Sequence, residues 1–168
     1  MYNFFLPFLL GVITSFSLPP YNFLILNFLT FPALFLILVN NKKKNNSLWS
    51  SFKIGWSFGI GYFISNIYWI VYSLTFEEIF KYFIPFALII IPSFLGLFYG
   101  LITLVSSRFK LEKNFSSIVI FSLTFAVIEF FRGFILGGFP WNLIVYSLTN
   151  FLESLQILSI TGTYSLNL

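Results

Sequence analysis

Five apolar runs, separated by short polar stretches, constrain this chain more than any motif does. They are Phe4–Leu18, Phe23–Val39, Ile54–Leu74, Phe83–Val105 and Ser116–Phe131. A sixth, Leu155–Leu168, begins near the C-terminus and has no closing charge. At 1.5 Å per helical residue, a run of about 20 residues matches the roughly 30 Å hydrocarbon core of a bilayer. Only 8% of the 168 residues are charged, against about 25% in soluble domains. With a mean hydropathy of +0.93, the polar surface cannot coat a water-soluble globule. The expected fold is all-α: a polytopic transmembrane helix bundle with about five complete spans and a truncated sixth.

The breaks between runs carry turn chemistry. Phe4–Leu18 has no Lys or Arg before it and no small-residue cleavage site after it. It therefore reads as a short first membrane helix rather than a secretory signal. Pro19-Pro20-Tyr21-Asn22 ends it, because proline cannot continue the hydrogen-bond ladder. Pro32 is expected to kink the second span. In the third span, Gly55 and Gly59 have the spacing that lets two helices approach closely, and Gly96 and Gly100 repeat it in the fourth. Asn66, Tyr68, Trp69 and Tyr72 occupy the far half of the third span, and aromatic residues of this kind favour the membrane interface. Thr75–Tyr82 contains Glu77, Glu78 and Lys81. Adjacent carboxylates point about 100° apart on a helix, so this segment reads as a solvated loop rather than an acid–base pair. Asn142–Asn150 reads as amphipathic connecting sequence.

Charge sets the orientation. Loops 40–53 and 106–115 hold Lys42, Lys43, Lys44, Lys53, Arg108, Lys110 and Lys113, seven of the nine bases. The alternate loops hold only Lys81 and Arg132. Positive loops stay in the cytoplasm, which places the N-terminus inside and both Glu77–Lys81 and Arg132–Trp141 outside. Lys42–Lys44 is read as this topological signal, with a lipid-phosphate patch as the alternative.

One stretch departs from the apolar pattern: Glu129-Phe-Phe-Arg132-Gly-Phe-Ile-Leu-Gly-Gly-Phe-Pro-Trp141. Glu129 and Arg132 are spaced i, i+3 and can pair on one helix face. A carboxylate inside the apolar boundary is costly unless paired. Arg132 either neutralises Glu129 and anchors the helix end, or holds a lipid phosphate or a partner's carboxylate bidentately. Gly137-Gly138 permits backbone angles closed to other residues, and Pro140 fixes the following turn. Trp141 reads either as an interface anchor or as the wall of an acyl-chain groove.

The chain has no Cys and no His. That removes thiolate nucleophiles, imidazole bases and the usual zinc ligand sets. No catalytic residue, metal site or cofactor is expected within it. The net charge of +4 reports topology rather than nucleic-acid binding.

Several of these pieces together resemble a known family. Glu129-Phe-Phe-Arg-Gly-Phe134, Gly138-Phe-Pro-Trp-Asn-Leu143 and Tyr146-Ser147 are similar to the membrane region of apolipoprotein N-acyltransferase. Leu18-Pro-Pro-Tyr-Asn22 is similar to that family's first turn. Gly55–Phe63 with Tyr68-Trp69-Ile70 resembles its third helix. Leu155-Gln156 with Gly162–Leu166 resembles its sixth. The resemblance implies a multi-pass protein of the bacterial inner membrane, and an activity that moves an acyl chain from a phospholipid to the diacylglyceryl-cysteine at a lipoprotein's N-terminus. In the family this chemistry uses a Glu-Lys-Cys triad in an extracytoplasmic nitrilase-like domain, the carbon-nitrogen hydrolase domain, which follows the seventh helix. This sequence departs from the family there, since it ends inside the sixth and has no cysteine to be acylated.

The whole chain, 1–168, thus reads as an N-terminal transmembrane domain whose partners are membrane lipids, the apolipoprotein substrate and the missing nitrilase-like domain. Alone it is expected to be inactive. Tyr68, Trp69, Arg132, Phe139, Pro140 and Trp141 fall on the expected outer side and are the candidates for lipid or domain contact. A stand-alone membrane scaffold or transporter subunit, or a fragment without function, are the competing readings.

Overall fold

The computed structural model describes residues 4–45, 47–135 and 142–151, with 153, 156, 157, 160, 162 and 163. All regular structure among them is helical. The α-helices are α1 (Phe5–Ser15), α2 (Ile25–Asn45), α3 (Leu48–Asn66), α4 (Glu78–Lys81), α5 (Ile84–Ser106) and α6 (Phe115–Arg132). Two stretches of 3₁₀-helix, Tyr68–Thr75 and Ile144–Leu148, follow α3 and precede the C-terminal residues. The expected sixth span lies mostly outside the described residues.

Local chemistry explains most boundaries. The Ser47 side chain caps α3 by accepting from the Ser50 amide, and Asn114 caps α6 by accepting from the Ser117 amide at 2.9 Å. Pro85 sits in the first turn of α5, where its missing N–H costs nothing. After α1 the chain reverses through Leu18–Asn22, with the Asn22 amide donating to the Leu18 carbonyl at 3.0 Å. Asn22 takes a positive φ of 56° there, a conformation asparagine tolerates better than most residues.

Three helices, α2, α5 and α6, are long and apolar enough to cross a bilayer. The expected third span does not run straight. It breaks after Asn66, and the 3₁₀ stretch leaves at 51° to α3. Ser65 and Asn66 mark the break by hydrogen bonding back to the Gly61 and Tyr62 carbonyls at 3.0 Å each, an alternative to the regular ladder. Residues 68–75 are still apolar, so hydropathy alone does not reveal the turn. The first run gives only the 11-residue α1, about 16 Å long, or half a bilayer core. It runs beside the second half of α3, where the Ser57 hydroxyl donates to the Phe4 carbonyl.

α3 is the centre of the bundle, packed against α1 on one side and α5 on the other. The predicted glycine spacings meet there. Gly59 faces Gly96, and a Cβ added to it would lie 2.7 Å from the Gly96 Cα. Side chains bridge the same pair of helices: Trp56 Nε1 donates to the Ser93 carbonyl at 2.9 Å, and Thr103 Oγ1 lies 2.8 Å from the Ser51 carbonyl. Without a hydrophobic driving force between helices in lipid, close contact and polar bridges of this kind hold them together. A buried core of Phe58, Tyr62, Phe63, Leu38, Tyr99 and Phe125 extends the packing to α2 and α6.

The antiparallel order puts both basic loops at one end of the bundle. The Arg132 end of α6, residues 142–148 and the broken α3 end share the other. That alternation agrees with the charge reading, and it carries a prediction. With no native cysteine to compete, Lys43→Cys and Lys110→Cys should resist a membrane-impermeant maleimide in intact cells, while Glu77→Cys reacts. Labelling of Lys43→Cys from outside would reverse the orientation.

Candidate functional site: a buried ion pair at the end of the sixth helix

The last turn of α6 places Glu129 and Arg132 on its inner face, as their spacing predicts. Arg132 Nη2 lies 3.2 Å from Glu129 Oε1, and both side chains are only 1% exposed. The Tyr99 hydroxyl of α5 donates to the same Oε1 at 3.3 Å. The guanidinium carbon sits 5.2 Å from the centre of the Phe63 ring of α3, within cation–π range. Tyr62 packs on Tyr99 with ring centres 5.7 Å apart, and its hydroxyl donates to the Asn142 carbonyl at 2.9 Å. One polar cluster therefore ties α3, α5 and α6 to the segment beginning at Asn142.

This arrangement neutralises charge inside the bundle. The carboxylate accepts from both a guanidinium and a phenol, which offsets its removal from water. Arg132 Nε and Nη1 are buried and have no hydrogen-bond partner among the described residues. Of the two sequence readings of Arg132, the pairing with Glu129 is the one the geometry displays. The i, i+3 spacing makes the pair legible in the sequence. Tyr99 and Phe63, distant from it along the chain, carry no such signal, because only the packing of α6 against α5 and α3 brings them in.

Tyr68 and Trp69 open the 3₁₀ stretch after α3 and are 59% and 41% exposed. Phe139, Pro140 and Trp141 lie outside the described residues. Among the described residues no group of three or more acids, cysteines or histidines is placed to hold a metal.

A second feature has no signature in the sequence. An apolar groove of about 440 Å³ runs between α2 and α6, walled by Phe28, Phe31, Pro32 and Phe125, and closed at one end by residues 144–148. At its polar lip the Asn27 amide donates to the Ser147 hydroxyl at 2.9 Å.

Residues 10–168 match the family model described as the apolipoprotein N-acyltransferase N-terminal domain. The chain belongs to the apolipoprotein N-acyltransferase family. Relatives bearing that name agree. The Brucella melitensis biotype 1 protein is 30% identical over 168 residues, 95% of this chain but 31% of that protein. The Sinorhizobium medicae protein is 32% identical over 98% of this chain and 32% of its own length. The Rhizobium etli protein is 33% identical over 82% of this chain and 27% of its own. The chain thus spans about a third of the length of these N-acyltransferases. The matched part is their N-terminal, helical domain.

Proposed function

We propose that these residues form the membrane platform of an apolipoprotein N-acyltransferase of the bacterial inner membrane, with the N-terminus in the cytoplasm. In this reading the whole enzyme transfers an acyl chain from a phospholipid to the N-terminal diacylglyceryl-cysteine of a lipoprotein. The observation that carries it is the family match along 10–168, laid over a bundle whose polar cluster sits at the end away from the lysines. The 168 residues contain no cysteine, so a thioester step belongs to a nitrilase-like domain outside them. The platform's tasks are to anchor that domain and to border the route by which lipid reaches it.

Tyr68, Trp69, Phe139, Pro140 and Trp141 are assigned to lipid or domain contact on the outer side. Arg132 is assigned a positioning role: paired with Glu129, it fixes the end of α6 from which residues 133–141 depart. The groove between α2 and α6 adds apolar surface that suits lipid tails.

The test is complementation in a strain depleted of its own N-acyltransferase, read by mass spectrometry of a lipoprotein N-terminus. The chain alone should leave the α-amino group free. The chain joined to the C-terminal remainder of the Sinorhizobium medicae relative should restore acylation. Acylation by the 168 residues alone would overturn the assignment, as would a stably inserted but inactive chimera.

A further inference from the structure

The connector from Tyr68 to Phe83 joins α3 to α5 as the 3₁₀ stretch, a bend and the single turn of α4. None of its residues is buried. Only Ile70, Val71 and Leu74 are half-covered, and these aliphatic side chains form the face turned to the bundle. The opposite face is aromatic. Tyr72 is 65% exposed, Phe76 87% and Tyr82 81%, with Ile79, Phe80 and Phe83 also open. Nearly half of the connector is Phe, Tyr or Trp.

A loop in water would expose polar groups on that face; contiguous apolar surface of this kind marks an interaction site. Three features say which. The connector is tethered at both ends to helices placed in the bilayer, so it stays at the level where α3 and α5 reach the surface. Its exposed face continues without a break into Phe86, Ile89 and Ile90 on the outward side of α5, which lipid tails cover if α5 spans. Its charges are confined to Glu77, Glu78 and Lys81, and Lys81 pairs loosely with Glu78 at 3.8 Å. Amphipathic aromatic rings flanking a few charges are the composition of an element seated at the boundary of headgroups and acyl chains.

We infer that Tyr68–Phe83 is an interfacial arm that lies in the phospholipid headgroup–acyl boundary of the leaflet opposite the lysine loops, with Tyr72, Phe76, Phe80, Tyr82 and Phe83 dipped among the lipid tails. The arm replaces the solvated loop expected at Thr75–Tyr82. It deepens the lipid-contact part of the proposed function and rests on the membrane placement of α3 and α5, not on acyl transfer.

Nitroxide labels on single cysteines test it in vesicles of phosphatidylethanolamine and phosphatidylglycerol. The variants are Tyr72→Cys, Phe76→Cys and Tyr82→Cys. Ile89→Cys on α5 is the lipid-facing control and Lys110→Cys the aqueous one. Collision with oxygen reports lipid, and collision with a water-soluble nickel chelate reports water. Labels on the arm should favour oxygen severalfold over the Lys110 label and approach the Ile89 label. Arm labels that behave like Lys110 would overturn the inference. So would labels shielded from both reagents, which would mean that protein covers this face. If the Ile89 label itself reads as aqueous, the membrane placement has failed and the arm falls with it. Acylation in the complementation assay is read separately, so loss of activity with lipid-seated labels would count against the enzyme reading alone.

Discussion

Replacing Arg132 with alanine is expected to be among the most damaging single changes in this chain. The substitution leaves the Glu129 carboxylate buried without its countercharge, while Tyr99 still donates to it. Removing one partner of a buried ion pair costs about 3–5 kcal/mol, because the other charge stays out of water. Arg132→Ala should therefore lower the unfolding midpoint steeply in detergent or bicelles. The double variant Glu129→Gln, Arg132→Met should recover much of the loss, since it removes the charge as well as its partner. A double-mutant cycle built from Glu129→Gln, Arg132→Met and their combination separates this from simple loss of packing. If the double variant is as unstable as the sum of the two single ones, the pair is not coupled and the cluster does not hold α6. Tyr99→Phe removes one donor to the same carboxylate and should cost less, about 1–3 kcal/mol, as for other hydrogen bonds to charged groups.

This coupling also shows what is legible in the sequence. Glu129 and Arg132 announce themselves because charge is rare in an apolar run and their spacing makes nearly one helical turn. Their partners do not. Nothing local to Tyr99 or Phe63 distinguishes them from the many other aromatics, and only the meeting of α6 with α5 and α3 selects them. The spans themselves are readable to within a few residues where a polar cap or a proline stands at their start, as at Asn114 and Pro85, whereas the third run, read from Ile54, starts six residues after α3 begins at Leu48. They are misread where helix and hydropathy part company. α2 continues through Lys42–Lys44 because a helix can carry its basic last turn beyond the apolar boundary, where those charges also suit the helix dipole. The third run breaks after Asn66 although residues 68–75 remain apolar, so polarity does not mark the break. Exposure of the aromatics around Glu77, Glu78 and Lys81, on which the proposed interfacial arm rests, is likewise a property of the fold and not of the local sequence.

The second large effect is expected at Gly59. Its α-carbon faces Gly96 at the point where α3 and α5 come closest, and a Cβ there would stand 2.7 Å from the Gly96 Cα and 3.0 Å from its carbonyl oxygen. Both obstacles are backbone, so no rotamer change relieves them, and the helices must move apart. Overpacking of this kind costs about 1–3 kcal/mol for a small group and more for a branched one. The separation would also stretch the Trp56–Ser93 and Thr103–Ser51 bridges, and, because Tyr99 Cβ also stands 3.0 Å from the added carbon, it would shift Tyr99 relative to Glu129. Gly59→Val should thus destabilise the bundle by more than the methyl overlap alone, and its effect should be less than additive with Tyr99→Phe, which removes the same hydrogen bond. Leu97→Ala serves as the comparison, since Leu97 lies on α5 with 37% exposure and its loss should be small. Thermal unfolding of the three variants and of the Gly59→Val, Tyr99→Phe double variant, followed by circular dichroism, decides the matter. A Gly59→Val variant as stable as the parent would mean that α3 and α5 do not pack through their glycines. In that case the glycine contact would not be what positions Tyr99, whose Cβ stands 3.0 Å from the added carbon, beside Glu129.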